Sequence, residues 1–236
     1  MKGEFCRLCQ KKRQLRNSHV LPEFFYKKMY DEKHRALQVP SDAREKFVQK
    51  GIREYLLCQE CETKLSRYEK YAVEIIREIP EFLTDSSGLF TYFENVEYSR
   101  FKLFQLSLIW RAGITSDKMF ENVSLGKHEE KLRKMIDDEN PGKFTDYGCL
   151  MITVPDTKLI DKIIWSPTRE KLSGHNGYRF FTGDLFWYFF VSSHKPDLSC
   201  QEFFLKENGL LRLWLAPWSE DEIIRNIGSA FSSRKF

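Results

Sequence analysis

The sequence predicts an α+β protein in two parts: a small cysteine-bearing module over residues 1–82 and a larger α+β unit over residues 89–236 built on an antiparallel sheet. Three observations predict it. Four of the six cysteines fall into two Cys-x-x-Cys pairs, Cys6/Cys9 and Cys58/Cys61. Behind the second pair, Leu65, Tyr68, Ala72, Ile75, Ile76 and Ile79 recur at the spacing of one helix face. Beyond Tyr178, apolar runs are separated by the two-residue turns Gly183-Asp184 and Asn208-Gly209, the signature of β-hairpins. With 236 residues, 42% hydrophobic, the chain is long enough to bury the cores such units need.

The elements follow in order. Residues 1–22 read as a knuckle and a strand, with Lys11, Lys12, Arg13 and Arg16 around the turn after the first cysteine pair. Glu23 to Leu37 predicts a short helix, broken by Val39-Pro40-Ser41-Asp42. Gly51 precedes a strand, Ile52 to Leu57, that delivers Cys58; the helix after Cys61 stops at Pro80. Thr84-Asp85-Ser86-Ser87-Gly88 has the composition of a linker. Phe101 to Trp110 is apolar nearly all round and predicts a buried helix, and His128 to Ile136 predicts an amphipathic one ended by Asn140-Pro141-Gly142. Tyr178–Thr182 with Leu185–Val191, and Phe203–Glu207 with Leu210–Leu215, read as two hairpins. Ser219-Glu220-Asp221-Glu222 is a capping box that opens a last helix to about Phe231. The aromatic run Tyr178 to Phe190 reads as core packing before it reads as a platform for bases, and Cys149 and Cys200 as small buried hydrophobes.

Charge and hydropathy exclude some classes. The longest uninterrupted apolar stretch, Leu185 to Val191, is seven residues, whereas a membrane-spanning helix needs about twenty. No signal-like segment precedes Cys6, so the expectation is a cytoplasmic protein. The net charge of +4 is uneven: residues 1–80 carry 18 Lys+Arg against 12 Asp+Glu, and the remainder 20 against 22. The positive excess belongs to the cysteine-bearing module.

In a reducing compartment, paired Cys-x-x-Cys spacing favours a metal over disulfides. Each turn places two sulfurs on one ion with little backbone strain, and two turns complete a tetrahedral zinc shell. A first pair in a knuckle and a second at a helix start, separated by 48 residues containing strands, make a treble-clef arrangement.

Between the pairs lies Asn17-Ser18-His19-Val20-Leu21-Pro22, and over residues 3–75 the chain resembles the zinc-bearing HNH endonucleases, with their ββα-metal fold. The resemblance implies that His19, followed by Pro22 in a His-x-x-Pro element, is the general base that activates water for attack on a phosphodiester. Ser18 stands where the family commonly has a metal-binding residue, and Glu62 and Ser66 stand where its closing histidine is usual. Glu62, a hard oxygen donor, is the substitute ligand for a catalytic Mg²⁺ or Mn²⁺; no clear counterpart of the family asparagine occurs near Arg53-Glu54-Tyr55. The basic residues Lys11, Lys12, Arg13, Arg16, Lys27 and Lys28 flank His19, as a phosphate-tracking surface requires. The implied function is a metal-dependent DNA endonuclease with a structural zinc. The segments Trp110-Arg111-Ala112 and Leu125-Gly126-Lys127-His128-Glu129-Glu130 resemble pairings found downstream of such cysteine modules in bacterial proteins. This resemblance carries no mechanism but suggests that the two halves travel together, as in the HNH-type effectors of antiphage operons, which often act with an ATPase or sensor partner.

Plainer readings stand beside these. A lone histidine before proline is often a structural hydrogen-bonder, and treble clefs also serve as non-catalytic modules that bind nucleic acid or protein. Glu62, like Glu69 two turns later, sits where a helix dipole or solvent alone accounts for a carboxylate, and a basic cluster is by default a solvated face.

Overall fold

The computed structural model describes residues 4–39, 46–79, 82–153, 163–182 and 185–215. At the N-terminus, β1 (Glu4–Phe5) and β2 (Lys12–Arg13) pair around the first cysteines, and β3 (Leu15–His19) follows directly. α1 (Glu23–Met29) begins after Pro22, whose missing N–H costs nothing at a helix entrance. The helix ends well before the expected Leu37. The Asp31 carboxylate accepts from the N–H groups of Lys33 and Arg35 and pairs with the Arg35 guanidinium at 2.8 Å, closing a turn with His34 at φ 57°. A side chain that competes for backbone donors in this way terminates a helix. The chain leaves as β4 (Ala36–Val39), passes through β5 (Lys46–Val48), and returns as β6 (Arg53–Cys58), antiparallel to β3. α2 (Gln59–Glu78) starts at Cys58 and buries the face its periodicity predicted, from Cys61 to Ile76. The breaks expected at residues 40–42 and at Pro80 lie outside the described residues.

β7 (Leu83–Thr84) and β8 (Phe90–Phe93) form a hairpin, so the segment read as an interdomain linker is its turn. Asp85 holds that turn: its carboxylate accepts from the Phe90 N–H and the Ser87 hydroxyl, and Gly88 takes φ 70°. α3 (Tyr98–Ile114) is buried on every side from Phe101 to Ala112, and α4 (His128–Asp137) buries only Leu132 and Ile136. Then come β9 (Cys149–Thr153), β10 (Ile163–Trp165), β11 (Thr168–Leu172), β12 (His175–Thr182), β13 (Leu185–Phe190), the short α5 (Leu198–Gln201) and β14 (Leu211–Leu215). The helix expected at 219–231 and the 183–184 turn lie outside the described residues.

Ten strands join in one largely antiparallel sheet, ordered β5-β4-β10-β12-β13-β9-β14-β8-β7, with β11 beside β12. Among the described residues, only β4/β10 and β9/β14 run parallel. The β12/β13 hairpin has its predicted strands. The second predicted hairpin does not form: Phe203–Glu207 is not a strand, and β14 pairs with β8 and β9 instead. Asn208-Gly209 does turn the chain, with the Lys206 N–H donating to the Leu210 carbonyl at 2.9 Å. The segment before it is drawn inward because the Phe204 ring occupies the space left by the bare Cα of Gly148 and packs on Phe190. Burying that aromatic outweighs the local preference for a ladder.

The 82/89 boundary is not a boundary of packing. β4 and β5 come from the first part yet extend the sheet of the second, and one hydrophobic core runs from Cys6 to Leu213. At its centre the Phe25 ring meets Trp187 edge-on at 6.0 Å, and Phe104 contacts both. Urea unfolding should therefore be one transition, with tryptophan fluorescence and far-ultraviolet circular dichroism coincident, and Trp187→Ala should cost about 3–5 kcal/mol. Two separated transitions would contradict a shared core.

Candidate metal centre and the histidine strand beside it

The first cysteine pair is held by a knuckle: the Gln10 N–H donates to the Cys6 carbonyl at 2.9 Å, the Cys6 N–H to the Lys11 carbonyl at 3.0 Å, and Gln10 takes the left-handed φ of 58°. Cys58 closes β6 and Cys61 lies in the first turn of α2, so the β3–β6 ladder and the helix together deliver the second pair. All four sulfurs lie within 4.8 Å of one another, Cys9 and Cys58 at 3.9 Å. Zinc–sulfur bonds of about 2.3 Å in a tetrahedron put sulfurs about 3.8 Å apart, so this set fits a zinc ion. The Cys58 N–H donates to Cys6 Sγ at 3.3 Å, a bond that favours thiolate. The Cys6 thiol is drawn down to about 4, chiefly by a hydrogen bond from Cys61 and then by backbone N–H groups, against burial. Cys61 moves the opposite way because it donates that proton and is itself buried. Four sulfurs this close cannot all ionise without a cation among them.

His19 ends β3, and the same ladder pairs it with Arg53. Its side chain is 19% exposed, and Glu23 Oε2 lies 3.2 Å from Nε2. That contact lacks hydrogen-bonding geometry, for Nε2 is buried and makes no hydrogen bond. Burial, followed by the charges of Arg53 and Arg111 and opposed by Glu23, lowers the imidazole to about 4. At neutral pH the ring is uncharged, the form a base requires.

Glu62 sits on α2 beside the Ser18 hydroxyl, with Oε1 buried and making no hydrogen bond. Burial raises its carboxyl above the ordinary range, opposed by Ser18 and Arg111. Arg111, only 3% exposed, reaches in from α3: it pairs with Glu69 at 2.8 Å and donates to the His19 carbonyl at 3.1 Å. The chain thus supplies its own cation to Glu69, and the charge of Arg111 also acts on Glu62. Among the described residues only the four cysteines form a group of three or more ligand-type side chains close enough for one ion. Ser18 Oγ is committed to the Arg16 carbonyl and the Leu57 N–H. His19 and Glu62 therefore belong to no group of three ligand-type side chains among the described residues, and the cation that acts on Glu62 there is Arg111.

Of the basic cluster, Lys11, Lys12, Arg16 and Lys27 are exposed. Arg13 is tied to Glu60 at the start of α2 and, with Arg16, Gln14 and Gln59, lines a shallow groove beside Cys58. The Lys28 side chain lies outside the described part. Sequence reasoning missed Glu23, Arg53 and Arg111 as neighbours of His19. The His19–Arg53 register was available only once β3 and β6 were paired, and Arg111 arrives from a distant helix. No known protein family, curated protein or solved structure matches this chain. Among the described residues no helix is long and apolar enough to cross a membrane.

Two outcomes follow. Protein purified without chelator should carry about one zinc per chain, and Cys58→Ser should lose the metal and most of the protection of the N-terminal amides against hydrogen exchange. His19, whose folded pKa lies below its unfolded value of about 6.5, contributes stability that is present above pH 6.5 and lost as pH falls toward 4. Relative to His19→Asn, the wild type should lose about 1–3 kcal/mol more stability between pH 7.5 and 4.5 by urea titration. Acid release of metal is common to both proteins and cancels in the difference; equal losses would show that His19 is not held neutral.

Proposed function

We propose that the chain acts on the phosphodiester backbone of DNA through an HNH-like module in which a structural zinc on Cys6, Cys9, Cys58 and Cys61 holds the β3–β6 hairpin and α2. The observation that carries this reading is the placement of His19: its carbonyl is held at a strand end by Arg111, and the ladder sets the Arg53 cation opposite it. In this reading His19 takes a proton from the attacking water, Arg53 receives the phosphate, and the exposed lysines and Arg16 guide the backbone. Glu69 holds Arg111, which donates to the His19 carbonyl and so fixes the strand end. The large sheet would select the target or a partner, such as an ATPase or sensor subunit in an antiphage system.

A second reading, a non-catalytic zinc module that binds nucleic acid, is favoured by one specific observation: His19 Nε2 is buried. A plasmid-nicking assay on wild type and His19→Ala, run with Mg²⁺, with Mn²⁺ and with EDTA, separates them. Loss of about 10²-fold or more in rate on His19→Ala supports the base role. Nicking that survives in the alanine variant, or that neither protein shows, leaves the binding reading.

A further inference from the structure

The β3–β6 hairpin has two faces with different tasks. On one, Ser18 is buried beside Glu62 of α2, and Glu54 accepts from the Ser116 N–H at 2.8 Å and from the Thr115 hydroxyl, both at the end of α3. On the other, the ladder sets His19 opposite Arg53 and Asn17 opposite Tyr55. Residues directly opposite share a face, as do alternate residues along a strand, so these four side chains form one patch.

Tyr55 is 64% exposed there, a large ring standing in water diagonally across from His19. Asn17 is exposed as well, and the Arg53 side chain, one-third exposed, is held by Glu23 at 3.2 Å. The Arg7 N–H donates to the Leu56 carbonyl at 2.9 Å, which ties the knuckle hairpin to the strand carrying Tyr55. That hairpin adds a second exposed ring, Phe5 at 63%, opposite Lys12. Four carboxylates belong to this surface: Glu4 on β1, Glu60 engaged by Arg13, Glu129 engaged by Arg7, and Glu23, which a phosphate would displace from Arg53. Among the described residues, no ion pair engages Lys11, Lys12 or Arg16, so the balance of unpaired charge stays positive.

A high intrinsic strand propensity explains a tyrosine on a ladder. It does not explain an exposed ring two residues from Arg53 on one strand face and diagonally across from His19. Exposed rings interleaved with cations suit single strands: the ring stacks on an unpaired base, and the cations follow the backbone. A duplex keeps its base faces stacked on one another and offers a flat ring only edges and phosphates. We propose that this face binds single-stranded DNA, with an unpaired base stacked on Tyr55 and the adjoining phosphate at Arg53 beside His19. The inference rests on the nucleic-acid reading above and narrows its substrate.

The test is fluorescence anisotropy of the full-length protein with a labelled oligo-dT of about 20 nucleotides and a duplex of equal length, comparing wild type, Tyr55→Ala and Tyr55→Phe. The expected result is tighter binding of oligo-dT than of duplex. Tyr55→Ala should weaken oligo-dT binding about tenfold with an unchanged thermal midpoint, and Tyr55→Phe should bind within about twofold of wild type. Equal oligo-dT affinity in wild type and Tyr55→Ala, or a preference for duplex, overturns the inference while leaving nucleic-acid binding intact. Absence of binding to both overturns it together with the reading it rests on. Tyr55-dependent binding in a protein that nicks no DNA supports it and removes only the catalytic reading.

Discussion

The N-terminal elements converge on four cysteine sulfurs delivered by the knuckle, the end of β6 and the start of α2. The knuckle is two two-residue strands, β3 is five residues long, and α2 meets them only at its first turns. Isolated hairpins of this size are marginal in water. A metal ion on the four sulfurs would tie the knuckle, the end of β6 and the start of α2 to one point and remove the repulsion among four close thiolates. The ladder that closes at Cys58 ends at His19, so the position of His19 follows from the position of the sulfurs.

The second constraint is a buried guanidinium. Arg111 lies inside α3, the most buried helix of the chain, and spends its donors on Glu69, the Ser107 carbonyl and the His19 carbonyl. A charge at 3% exposure persists only when it is paired and hydrogen-bonded, and here the pairing crosses from α3 to α2 and β3. The cysteine module and the large sheet are therefore joined by a polar contact as well as by the shared core around Phe25 and Trp187. The same guanidinium balances the Glu69 carboxylate of α2.

How much was legible in the sequence varies with the range of the interaction. The cysteine pairs, α2, α3, α4 and the β12/β13 strands were readable because spacing and periodicity along a few turns decide them. The early end of α1 was not, because Asp31 closes a turn that a count of apolar residues ignores. The parallel pairing of β4 with β10 joins residues more than 120 positions apart, and nothing local announces it. Phe204 shows the same limit, since only Gly148 explains why its segment leaves the ladder. Around His19 and Glu62, which the sequence offered only through a resemblance, the neighbouring charges Arg53, Glu23 and Arg111 come from other strands and helices.

X-ray absorption at the zinc edge of protein purified without chelator or added metal tests the central claim most directly. The account predicts a first shell of four sulfur scatterers at about 2.3 Å with no nitrogen or oxygen neighbour. A shell containing nitrogen or oxygen, or the absence of zinc, would contradict it.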